Sequence, residues 1–156
     1  MEGVVADILI AVLAAMLVVA ATGDLRTRTI PNRLNIAIAL CALPFWWFSE
    51  LPLWPDVAVR IGIAALLFAL FAAAFAIGAM GGGDVKLVAA TALWLPPGAV
   101  LKMLVIMSIA GGVLTVVMLV RHRLAKASSQ LEIPYGVAIA FGGIWLISEP
   151  ILNQFG

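Results

Sequence analysis

Val4–Thr22 reads VVADILIAVLAAMLVVAAT, and Gly23–Arg33 reads GDLRTRTIPNR. The first stretch is apolar except for Asp7 and Thr22, and it has the length that a membrane-crossing helix needs, about 20 residues. The second is a polar loop with three arginines, and Pro31 breaks any helix entering it. The chain opens on Met1-Glu2-Gly3, acidic where a secretory signal is basic, so the first run reads as a retained helix. The whole sequence repeats this contrast. Its 156 residues are 65% hydrophobic and 11% charged, with a mean hydropathy of +1.19. Soluble domains are about 45–50% apolar and about 25% charged. A core of this size could not hide so much apolar surface from water, so the expected solvent is lipid.

Working outward, further apolar runs cover Leu34–Phe48, Val57–Ala79, Leu87–Leu95, Ala99–Val120 and Ile133–Ile147. Between them lie Ser49–Asp56 with two prolines, Met80–Lys86 with three consecutive glycines, Pro96-Pro97-Gly98, and a basic segment from Arg121 to Glu132. The expected fold is an all-α polytopic membrane bundle of about six transmembrane helices, forming one domain over residues 1–156. Arg26, Arg28, Arg33, Lys86, Arg121, Arg123 and Lys126 fall in alternate loops, which the positive-inside rule assigns to the cytoplasm. Both termini are then extracytoplasmic. Trp46, Trp47, Trp54, Trp94 and Trp145 read as anchors at the membrane interfaces. Val85–Leu95 fits poorly. Its 11 residues make about 16 Å of helix against a hydrocarbon core of about 30 Å. It is a short helix, a helix with a sunken Pro-Pro loop, or a re-entrant segment.

Asp24 and Asp84 are the carboxylates that could do chemistry. Each stands at the same end of an apolar run, and ionisable groups at such depth are costly and point to function. Two carboxyls brought within a few ångströms cannot both ionise, so one keeps its proton. The ionised member can take a proton from water attacking a carbonyl, and the other can donate to the carbonyl oxygen and the leaving amine. Gly81, Gly82 and Gly83 permit a close backbone approach beside Asp84, and Gly78 with Gly82 forms a small-xxx-small spacing for helix contact. Simpler roles stand beside these. Asp24 could be a loop residue balanced by Arg26 and Arg28, Asp84 an N-cap, and the glycines a turn.

Gly81-Gly82-Gly83-Asp84 matches the Gly-x-Gly-Asp signature of membrane aspartic peptidases. Asp24 with Arg28-x-Ile30-Pro31-Asn32 resembles the first aspartate motif of the type IV prepilin peptidase family, and Gly83-Asp84-Val85-Lys86-Leu87 resembles the second. Ile133-Pro134-Tyr135-Gly136-Val137-Ala138 resembles the start of that family's last helix. The resemblance implies a leader peptidase acting on prepilins or pseudopilins at the cytoplasmic face of the bacterial inner membrane, with Asp24 and Asp84 catalytic. Gly81, Gly82, Gly83, Lys86, Arg28, Pro31, Asn32, Pro134 and Tyr135 would then bind substrate or shape the loops. Longer members carry a region with paired Cys-x-x-Cys motifs and also methylate the new N-terminus. With Cys41 as the single cysteine, the chain resembles the short branch serving Flp-type pili, without the methyltransferase activity.

Neither cofactor nor metal is expected. One cysteine and one histidine, His122, exclude a cysteine-clustered zinc site and leave no His partner. Cys41 reads as a small core residue. A net charge of +1 gives no ground for a nucleic-acid partner, and the partners expected are membrane lipid and the protein substrate. The alternative function is a small proton- or cation-coupled transporter in which the acids bind the ion. The acids sit at helix ends and no internal repeat is visible, which counts against it.

Overall fold

A computed structural model describes residues 2–124 and 133–152. The described residues form six helices: α1 (Glu2–Thr27), α2 (Asn32–Phe48), α3 (Ala58–Ala76), α4 (Gly82–Ala92), α5 (Pro97–Leu124) and α6 (Tyr135–Leu152). Three stretches are long and apolar enough to cross a membrane: Gly3–Thr27, Leu53–Ala76 and Pro97–Leu124. A shorter apolar helix covers Tyr135–Glu149. The protein is a helical membrane bundle. The reason for helices is general, since in lipid every backbone N–H and C=O must find a partner within the protein. Their outward faces are apolar, with Val18, Val19, Leu66, Leu70, Ile109 and Val113 exposed. Lys126, counted above among the basic loop residues, lies outside the described residues.

Helix ends differ from expectation at one important place. The segment from Gly23 onward was expected to be a loop, yet α1 continues through Thr27 and carries Asp24 in its last turns. The Arg28 N–H bonds the Asp24 carbonyl at 3.1 Å, and the Thr27 hydroxyl donates to the Gly23 carbonyl at 2.9 Å. Those bonds hold the polar sequence helical, and Arg28 ends it with a left-handed φ of 54°. Gly78 plays the corresponding part after α3. Its φ is +75°, its N–H bonds Phe75, and the Ala79 N–H bonds Ala74, a glycine-terminated helix end. Gly78 and Gly82 therefore do not share a helix face, against the expected small-xxx-small pair.

The short segment proves to be the centre of the bundle. α4 has 11 residues and packs against α2, α3 and α6. Asp84, Val85 and Leu87–Ala92 are all buried, so α4 meets protein where the longer helices meet lipid. It is too short to cross the hydrocarbon core. α1 packs on α2 and α6, and α5 on α6. Leu13 and Leu17 of α1, Ile38 of α2, Leu87 and Val88 of α4, Met103 of α5 and Ile139 of α6 fill the core. Cys41 is half-buried against it.

Two tryptophans are not interface anchors. Trp46 is 8% exposed and Trp94 3%, whereas Trp47, Trp54 and Trp145 are exposed. The Trp46 indole N–H donates to the Leu93 carbonyl at 2.9 Å, and the Trp94 indole N–H to the Ile38 carbonyl at 3.0 Å. Trp94 also stacks on Phe45, with ring centroids 4.9 Å apart. Both indoles are internal donors, drawn inward by backbone carbonyls.

α6 enters the bundle on glycines. A Cβ at Gly143 would lie 2.9 Å from Leu17 Cδ1 and 3.1 Å from Thr91 Cγ2, and both neighbours are fully buried. Gly143→Val should therefore lower unfolding stability in detergent by about 1–3 kcal/mol, the usual cost of overpacking. Gly112→Ala, where a Cβ meets nothing within 4 Å, should stay within about 0.5 kcal/mol. Equal losses for the two would show that α6 does not depend on this close approach.

Candidate active site

Asp24 lies in the last turns of α1 and is buried. Its partner comes from the far end of the chain. The Gly136 N–H, in the first turn of α6, donates to Asp24 Oδ2 at 2.8 Å. The first N–H groups of a helix have no intrahelical acceptor, so this donor is free to serve a carboxylate. Glycine is required there, because a Cβ would lie 2.7 Å from Ile30 Cδ1 and 2.8 Å from Asp24 Oδ2.

Asp84 lies in the first turn of α4, following Gly81 at the N-cap. It is 7% exposed, and its Oδ1 has no hydrogen-bond partner among the described residues. Burial, and next the charge of Asp24, push the Asp84 carboxyl up to about 7, against the pull of a backbone hydrogen bond at Gly81. The N-cap role expected of Asp84 as the simpler reading falls to Gly81 instead, and Asp84 sits two residues inside the helix with Oδ1 free among the described residues.

Asp24, Arg28–Ile30 and Gly81–Asp84 line one cavity of about 250 Å³. Two acids far apart in sequence thus share one space. The glycines let the walls close. A Cβ on Gly83 would stand 3.1 Å from Ile30 Cβ, and one on Gly82 would stand 3.3 Å from the Phe75 ring. Arg28, held in its left-handed conformation, contributes a buried Nη1 without a partner among the described residues.

The other expected residues divide. Lys86 and Asn32 meet each other, Nζ to Oδ1 at 2.7 Å, but they line a different groove of about 450 Å³ between α2, α3 and α4. Two residues apart on one helix, Lys86 and Asp84 face opposite ways. Pro31 starts α2, its carbonyl accepting from Leu34 and Asn35 at 3.0 and 3.3 Å. Pro134 is fully buried before α6, and the Tyr135 ring packs on Gly111 of α5. Neither reaches the acids' cavity. Among the described residues no three His, Cys, Asp or Glu side chains come together to hold a metal.

Asn35 was missed. It is buried, and its Nδ2 donates to the Gly83 carbonyl at 3.2 Å, tying α2 to the turn that carries Asp84. The signal was available, since Asn35 is the one amide side chain in the run Leu34–Phe48. Gly136 was visible in the last-helix motif, but its role depends on where α6 lands.

Gly136→Ala should displace Asp24 or α6 and lower unfolding stability by about 1–3 kcal/mol, against a near-neutral Gly98→Ala, where a Cβ meets nothing within 4 Å. Thermal unfolding of the purified protein in detergent reads both. A neutral Gly136→Ala would mean that the contact is slack.

No curated protein and no solved structure matches the chain. A family does, over residues 11–116, a stretch that holds both acids, the three glycines and Asn35. The chain belongs to the type IV leader peptidase family.

Proposed function

We propose that this protein removes the leader peptide of Flp-type prepilins or pseudopilins at the cytoplasmic face of a bacterial inner membrane, using Asp24 and Asp84 as a catalytic pair. The observation that carries the reading is the single cavity lined by both carboxylates. Family membership supports the peptidase class, and loop charge supports the cytoplasmic side.

The chemistry follows from the unequal surroundings of the two acids. Asp84, raised to about 7, holds a proton at neutral pH and donates it to the scissile carbonyl oxygen. Asp24, whose Oδ2 accepts the Gly136 N–H, takes a proton from the attacking water. The oxygen–carbon bond forms to give a gem-diol; as the C–N bond breaks, the proton gained by Asp24 leaves with the amine and one gem-diol hydroxyl returns its proton to Asp84. Arg28 lines the same cavity, and its buried Nη1, without a partner among the described residues, offers a cationic donor to the scissile carbonyl oxygen as charge builds on it. Gly81–Gly83 leave room for an extended substrate strand beside Asp84.

The first test is cleavage of a co-expressed Flp-type prepilin by wild type, Asp24→Asn and Asp84→Asn. Each change keeps shape and removes a titrating group. Both variants should stay in the membrane and lose activity by roughly 10²-fold or more. Near-normal cleavage by either would remove that residue from the mechanism. The second test is pH. Below about 7 Asp84 carries the proton the reaction uses, and above it that proton is lost. kcat/KM in proteoliposomes should therefore fall on the alkaline side with a midpoint near 7, and a profile flat from pH 6 to 9 would contradict the assignment of Asp84 as the acid.

A further inference from the structure

Arg60 is a charged residue inside a membrane-crossing stretch, and it is 8% exposed. Intramembrane charges are costly and call for a purpose. Its Nη1 donates to the Trp94 carbonyl at 2.6 Å, just beyond the last residue of α4. The neighbouring Leu93 carbonyl is held by Trp46 of α2 at 2.9 Å. Trp94 in turn bonds Ile38 of α2 at 3.0 Å. Three side-chain bonds thus fix the C-terminal end of α4 to α2 and α3.

The other end of α4 carries Asp84. An α-helix is stiff along its axis, so a fixed C-terminal end sets the height of the first turn. The guanidinium beside the last carbonyls agrees with the helix dipole at the C-terminal end. At the Asp84 end the ties are lighter: Asn35 to the Gly83 carbonyl at 3.2 Å, and the exposed pair Lys86–Asn32. Asp56, one turn before Arg60, is the nearby acid that faces the guanidinium.

We infer that Arg60, with Trp46, is a positioning residue that sets the axial height of α4 and thereby the placement of Asp84 against Asp24. It touches neither acid and acts through the helix between them. The inference rests on the proposed peptidase reading for its kinetic consequence only. A displacement of about 1 Å at a reacting group costs on the order of 10²-fold in rate.

The experiment compares wild type, Arg60→Met, Arg60→Lys and Trp46→Phe, reconstituted in proteoliposomes. With a Flp-type prepilin as substrate, Arg60→Met should lower kcat by on the order of 10-fold to 100-fold, with KM within about 2-fold. Arg60→Lys, which keeps a cation and an N–H donor, should recover most of the loss, and Trp46→Phe should reproduce part of it. A role in folding alone would reduce the amount of protein and leave kcat per folded molecule unchanged. An infrared titration of the carboxyl band that Asp84→Asn removes gives an arm that needs no substrate. Its midpoint should move from about 7 toward the ordinary carboxyl range in Arg60→Met, as Asp84 draws away from Asp24. If wild type cuts no prepilin, the peptidase reading fails and this titration alone decides the positioning role. An unmoved midpoint, or an unchanged kcat in an active enzyme, would overturn it.

Discussion

Every buried backbone carbonyl at membrane depth must be paired, and α4 is the element on which that rule presses hardest. A helix that crosses the membrane leaves its free end groups in the polar interfaces. An 11-residue helix ends inside the protein and exposes its last carbonyls to an apolar surrounding. Leaving one unpaired costs about 1–3 kcal/mol. Trp46 and Arg60 meet the cost at Leu93 and Trp94. The remaining features follow from a short helix held in this way. α2, α3 and α6 must surround it, lipid must be kept off it, and its first turn must lie deep in the bundle.

That depth has a chemical result. A carboxyl in the first turn of an exposed helix would be hydrated and ionised, whereas Asp84 is buried and faces the charge of Asp24. The glycines before it are the geometric counterpart. A Cβ on Gly136 would collide with Asp24 and Ile30, and one on Gly83 would press tightly on Ile30. The same residues that bring the two acids into one cavity also leave that cavity narrow, about 250 Å³.

The sequence made some of this legible and hid the rest for identifiable reasons. Apolar runs located the helices because lipid enforces them, and the isolated acids stood out because lipid penalises them. The end of α1 was misjudged. Gly23, Asp24 and Arg26 have loop-like composition, and the bonds that keep them helical, from Thr27 and Arg28, cannot be counted in advance. Trp46 and Trp94 were misjudged because a tryptophan near a helix end serves an interface and an internal carbonyl equally well in sequence. Lys86 was read with Asp84 because the two share the motif that resembles the family's second, and on α4 it meets Asn32. Asn35 and Arg60 were readable as polar residues in apolar runs, but their partners were fixed only by the packing of α4.

The bond from Gly136 to Asp24 joins residues 112 positions apart. Ribosomes add about 5–20 residues each second, so Asp24 emerges roughly 6–22 s before its donor exists. For the last 52 of those positions, roughly 3–10 s, the nascent chain holds both acids but lacks α6, which packs against both α1 and α4. The bond to Asp24 Oδ2 is therefore made last, when α6 inserts. Truncated products of interrupted synthesis would carry the acids without the helix that joins their supports.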